Sequence, residues 1–322
     1  MMVVLLHGPL VYLAGAAPSV SLAAFLTVAD GTNLFFVISG ALLLPVTTSW
    51  REFVMRRVSR VLWPLLLWSV VYLAVGIAQG RLSLWDALRL QPEAPHLWYL
   101  YMAIVIYATL PLVSRAIAAV GERGVDAYLL LWLLSSLIPY WHGVVGSFEP
   151  LQHPLSLVHN CYGYVVLGYR LQRRPLPAGA WRLWLAALIG IVAVPLMEFT
   201  LQSGLTWLDH MVAVTSNVSV NAVMTAAVVF TVVQRLVPER LPDGRASRAL
   251  TAVSNCTFGI YLMHVLVMDH VAAPLLHDWV RSHAIHPIMA GVALSALTFA
   301  LSLAAALLLR RLLPSRVARL LL

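Results

Sequence analysis

The chain has 322 residues, of which 61% are hydrophobic and only 11% charged. A soluble domain of this length carries about a quarter charged residues, so the composition excludes one and describes a polytopic membrane protein, with residues 1–322 forming a single domain. The formal net charge of +8 comes from 21 arginines and no lysine; membrane topology and anionic lipid account for it, and nucleic acid is not implied as a partner.

A spanning helix needs about 20 mostly apolar residues. On that criterion the chain is all-α, a transmembrane helical bundle of about ten spans at 1–17, 24–46, 60–78, 97–118, 127–142, 154–171, 182–203, 212–234, 251–274 and 287–309. The first is short and no basic segment leads it, so it does not read as a signal peptide. With the amino terminus in the cytoplasm, eighteen arginines fall on inside loops and three, Arg81, Arg89 and Arg281, on outside loops. The positive-inside rule then places both termini in the cytoplasm, and an odd number of spans would break the alternation. Cys161 and Cys256 both lie in apolar spans and suggest neither a metal site nor a disulfide.

Ionisable groups inside spans are costly and mark functional sites. His7, Asp30, His159, Glu198, His264 and Asp269 are the candidates. His7, in Val3-Val4-Leu5-Leu6-His7, is suited to take a proton near neutral pH, or simply to hydrogen-bond a helix carbonyl. In the second span Asn33, Phe36 and Gly40 share a helix face, with a small-residue notch suited to close packing. That span is expected to end in a dense arginine turn, Arg56-Arg57-x-x-Arg60, ahead of Pro64. Arg57 and Arg60 share a face at i, i+3, and guanidinium forks match phosphate geometry. No glycine-rich phosphate loop occurs, which speaks against an ATP-binding protein.

The outside loops hold His96, His142, His153, Asp209, His210, His277, Asp278, His283 and His286, near Trp98, Tyr99, Trp141, Trp207 and Trp279. They read as an aromatic belt with interfacial histidines, or as an aromatic-walled entrance for a sugar. No His-x-x-x-His or Cys-x-x-Cys spacing occurs, so no metal is expected. In the ninth span Ser254, Thr257, Tyr261 and His264 form one polar stripe, which must face protein or water. Interhelical hydrogen bonding is the plain account, more so for Ser254 and Thr257 than for Tyr261 and His264.

Five segments in order carry a resemblance to the acyltransferase-three family of integral membrane acyltransferases, which includes surface-polysaccharide O-acetylases. They are Val4-Leu5-Leu6-His7; Phe35 to Gly40 (with Phe36 and Ser39) followed by Arg57-x-x-Arg60 and Pro64; His96-Leu97-Trp98-Tyr99-Leu100 with Tyr107 and Pro111; Gly163-Tyr164 to Gly168-Tyr169; and Phe258-Gly259-Ile260-Tyr261-Leu262-x-His264. The resemblance implies transfer of an acyl group, usually acetyl, from cytoplasmic acyl-CoA to a hydroxyl of a sugar, surface polysaccharide or lipid-linked glycan. It implies acyl-CoA as co-substrate with no permanently bound cofactor, and a bacterial-type plasma (inner) membrane. By the same resemblance His7 is the catalytic histidine and Arg57 and Arg60 bind the donor, with Tyr261 and His264 along the acceptor path. Family members carry an Arg and an Asp upstream of the histidine; six residues precede His7, so either the first span is truncated at its start or this is a variant lacking those groups. The alternative from another class is a non-catalytic transporter or exporter of a small acylated or glycosylated compound, which needs polarity along its path rather than one base.

Overall fold

The computed structural model describes residues 2–13, 31–83, 94–137, 160–177, 179–189, 219–237, 243–283, 285, 287–314 and 317–318, and among these residues every regular element is helical. In chain order they are α1 (Met2–Leu13), α2 (Thr32–Leu43), α3 (Trp50–Ala78), a 3-10 turn (Pro95–Leu97), α4 (Trp98–Ser135), α5 (Tyr162–Arg173), α6 (Ala180–Ile189) and α7 (Val220–Leu236). Then α8 (Arg245–Val267) runs through a π turn (Met268–Ala272) into α9 (Ala273–Ser282), and α10 (Pro287–Leu312) follows.

Four stretches, Trp50–Ala78, Trp98–Ser135, Arg245–Val280 and Met289–Leu312, are long and apolar enough to cross a membrane, and α2, α6 and α7 are shorter apolar helices. Only 28–39% of the most apolar window in each long stretch is buried. Trp63, Leu66, Val70, Leu130, Leu275 and Met289 are among the large apolar side chains left on the outside. An exterior this apolar suits lipid and not water. The chain is therefore a helical membrane protein.

The helices pack in two groups. α1 lies along α10, which also packs on α8; α2 lies along α5, flanked by α7, and α4 contacts both α3 and α5. α3 touches α8 and so links the groups. Two glycines set the α2–α5 crossing. A methyl group on Gly40 would overlap the Val165 carbonyl, and one on Gly168 would overlap the Val37 carbonyl. Bare backbone on each helix thus meets the backbone of the other, the arrangement small residues permit between membrane helices. At the α1–α10 contact, Ser295 Oγ lies 3.1 Å from Val4 O and 2.8 Å from Gly291 O.

Two expectations from the sequence change here. The arginine turn is not a turn: Arg51, Arg56, Arg57 and Arg60 all lie on α3, which begins at Trp50. Ser49 caps the helix by accepting from Glu52 N–H, and Arg56 pairs with Glu52 one turn on. A helix of 29 residues is about 44 Å long at 1.5 Å per residue, longer than the hydrocarbon core of about 30 Å. The helix is therefore long enough to cross that core with its arginine-bearing first turns outside it. Likewise, the fourth and fifth expected spans join without a loop. They form the two limbs of α4, interrupted at Gly121, whose φ of 65° and ψ of −173° favour glycine.

Candidate active site

Three imidazoles from three elements meet on one side of the α3–α8 contact. His7 sits mid-way along α1, His264 in the last turn of α8, and His96 in the 3-10 turn before α4. Their ring centroids are 4.9 Å apart for His96 and His264, 5.1 Å for His7 and His264, and 6.3 Å for His7 and His96. His264 is fully buried, His96 is 6% exposed and His7 is half-buried. The sequence left His96 in an outside loop; the structure folds it inward.

Hydrogen bonds assign the tautomers. A carbonyl oxygen only accepts, so His7 Nδ1–H donates to Val3 O at 2.8 Å and His264 Nδ1–H donates to Tyr261 O at 2.7 Å. Each keeps a lone pair on Nε2. His96 is the reverse. The Tyr72 hydroxyl donates to Leu262 O at 2.9 Å, so its oxygen accepts from His96 Nε2–H at 3.3 Å, leaving the lone pair on Nδ1. The Tyr261 hydroxyl donates to the His96 carbonyl and fixes the turn from the other side. His96 Nδ1 and His264 Nε2 are buried with no partner among the described residues. Three imidazoles therefore present lone pairs, and any of them has the electronic form of a general base.

Beyond Tyr261 lies a cavity of about 340 Å³. Phe35, Ile38 and Ser39 of α2, Arg57 and Arg60 of α3, Tyr99 and Tyr107 of α4, and Thr257 and Tyr261 of α8 are among its lining residues. The rings of Phe35, Tyr99 and Tyr261 stand 5.2–6.2 Å apart. The Tyr261 ring is also 5.9 Å from both His96 and His264, so it belongs to the cavity wall and to the imidazole cluster. Ser39 Oγ and Tyr107 Oη lie 3.0 Å apart across the wall. Arg56, Arg170 and Arg174 pair with Glu52, Asp126 and Glu122. Arg57 and Arg60 have no carboxylate partner among the described residues.

The acyltransferase domain profile matches residues 1–307. The chain belongs to the acyltransferase-three family. As a member it is a membrane acyltransferase, an enzyme moving acyl groups other than aminoacyl groups. No curated protein and no solved structure matches it. Among the residues singled out in the sequence of this acyltransferase, His7, Tyr261 and His264 come together, and Phe35, Ser39, Arg57 and Arg60 share the neighbouring cavity. Phe36 is buried against Tyr99 at 4.9 Å, and Gly40 faces α5. Ser254 and Thr257 are exposed, and Thr257 Oγ1 donates to Ser254 O within its own helix.

His277, Asp278 and Trp279 are exposed on α9 rather than in a loop, with His283 exposed just past its end. Asp269 is exposed on the π turn. Asp30, His142, His153, His159, Glu198, Asp209, His210 and His286 lie outside the described residues, as do Trp141 and Trp207. Among the described residues no group of three or more His, Cys, Asp or Glu is arranged to hold a metal ion.

Proposed function

We propose that this enzyme transfers an acetyl group from cytoplasmic acetyl-CoA to a hydroxyl of a sugar, surface polysaccharide or lipid-linked glycan. The observation that carries the reading is the cavity that joins two arginines, unpaired among the described residues, to the imidazole cluster through Tyr261. Arg57 and Arg60 hold the coenzyme A phosphates as guanidinium–phosphate pairs. The pantetheine arm lies along the apolar wall with the thioester toward Tyr261. His7 Nε2 takes the proton of the acceptor hydroxyl as its oxygen attacks the thioester carbonyl. The carbon–sulfur bond breaks, and the same nitrogen returns the proton to the departing thiolate. Each atom is accounted for and no permanently bound cofactor is needed.

In this reading the chain crosses a bacterial-type inner membrane about ten times with both termini in the cytoplasm. The arginine-rich start of α3 then faces the donor's compartment, which agrees with the positive-inside rule.

The test is transfer of labelled acetyl from acetyl-CoA in membranes holding the wild-type protein or His7→Gln. Glutamine keeps hydrogen bonding but cannot take the proton, and general-base catalysis supplies ~10²–10⁴-fold. The variant should insert and purify normally yet lose transfer by about that factor. Wild-type transfer by His7→Gln would remove His7 from the role of base.

A further inference from the structure

His96 is gripped from two helices in a way that packing alone does not require. Tyr72 of α3 takes its Nε2–H, and Tyr261 of α8 donates to its carbonyl. The grip leaves one outcome: the Nδ1 lone pair is buried, beside the equally buried lone pair of His264 Nε2, in rings 4.9 Å apart and next to His7. Buried acceptors without a donor are costly and call for an explanation. The thioester group itself brings no hydrogen-bond donor to them; an acceptor with more than one hydroxyl does.

Resting on the acyltransferase reading above, we propose that His96 is a positioning residue for the acceptor. Its Nδ1 receives a hydrogen bond from a second hydroxyl of the acceptor while the hydroxyl to be acylated faces His7; the His264 Nε2 lone pair is open to a further hydroxyl of the same acceptor. The acceptor is then a polyol. A monohydric alcohol leaves a buried lone pair unpaired, which is the condition under which a polar site discriminates most strongly.

Two substitutions separate this role from packing. In His96→Asn the side-chain oxygen falls where Nδ1 lies and keeps an acceptor there. In His96→Gln the amide reaches toward Tyr72, where Nε2 lies, and the Nδ1 acceptor is gone. Tyr72→Phe removes the oxygen that holds the tautomer. Each is compared with wild type for acetyl transfer from saturating labelled acetyl-CoA to the endogenous membrane acceptor, with acetyl-CoA affinity of the purified protein as the check on folding.

His96→Gln should lose about ten- to a hundredfold in transfer rate at unchanged acetyl-CoA affinity, and His96→Asn should keep clearly more activity than His96→Gln. Tyr72→Phe should fall between wild type and His96→Gln. The proposal is overturned if His96→Gln transfers as fast as His96→Asn, whether both are wild-type or both inactive. If a His96 variant fails to bind acetyl-CoA, Tyr72→Phe decides: reduced transfer at normal affinity supports the role and wild-type transfer overturns it. A wild-type protein that transfers nothing sinks the proposed acetyl-CoA-to-hydroxyl reaction, whereas an active wild type with the wrong variant order sinks only the assignment of His96.

Discussion

Replacing Arg57 and Arg60 with alanine tests the donor side. Both line the cavity, Arg57 half-buried and Arg60 exposed, and neither has a carboxylate partner among the described residues. A hydrogen bond to a charged group contributes about 1.5–3 kcal/mol, and exposure lowers that by solvent screening. Arg57→Ala should therefore weaken acetyl-CoA binding by ~10-fold or more, since each 1.4 kcal/mol is tenfold. Arg60→Ala should cost a few-fold. Neighbours at i, i+3 that share one phosphate group do not add, so the double variant should fall short of the product. Arg56 supplies the control: it is exposed and already paired with Glu52, so Arg56→Ala should change the affinity little. The measurement is the dissociation constant of acetyl-CoA by calorimetry on detergent-solubilised protein, at two salt concentrations. A double variant that binds like wild type, or an Arg56→Ala protein weakened as much as Arg57→Ala, would refute the assignment.

The other predictions concern packing and topology. Gly40→Ala or Gly168→Ala sets a methyl group against a carbonyl of the facing helix, where only backbone movement relieves the overlap. Each should destabilise by about 1–3 kcal/mol and lower the melting temperature in detergent, while Gly244→Ala, with open space around it, should not; equal melting temperatures for all three would contradict the crossing. Reporter fusions after residues 121, 175 and 243 should report cytoplasm and those near 90, 147 and 281 the exterior. One reproducible reversal would break the ten-span alternation.

His264 and Tyr261 were legible because one helix carries both: a polar stripe in an apolar run has to face protein or water. His7 was legible as an ionisable group in a span. His96 was not, since it stands just ahead of an apolar run where an interfacial histidine is common. What turns it inward are Tyr72 and Tyr261, 24 and 165 positions away, and no local pattern encodes such partners. The true start of the helix that carries the arginines could have been found. Ser49-Trp50-Arg51-Glu52 is a capping-box pattern, and it marks a helix start ten residues ahead of the hydropathic boundary. Hydropathy finds the part of a helix that lies in lipid, not the part that extends past it. The single-residue break at Gly121 was hidden for the same reason, because polar residues between two spans look like a loop whether or not they are one.

α3 carries the two cavity-lining arginines, Arg57 and Arg60, near one end and Tyr72 toward the other. At 1.5 Å per residue the separation along the chain of the helix is roughly 18–22 Å, and one helix holds it, with Pro64 inside the interval. That helix acts as a ruler. In the proposed reading, the phosphate end of a bound donor and the tie that orients His96 are graduated on the same helix, so their spacing does not depend on how loops are folded. Changing the rod's length would shift one mark relative to the other by whole helical steps, with a rotation of about 100° at each.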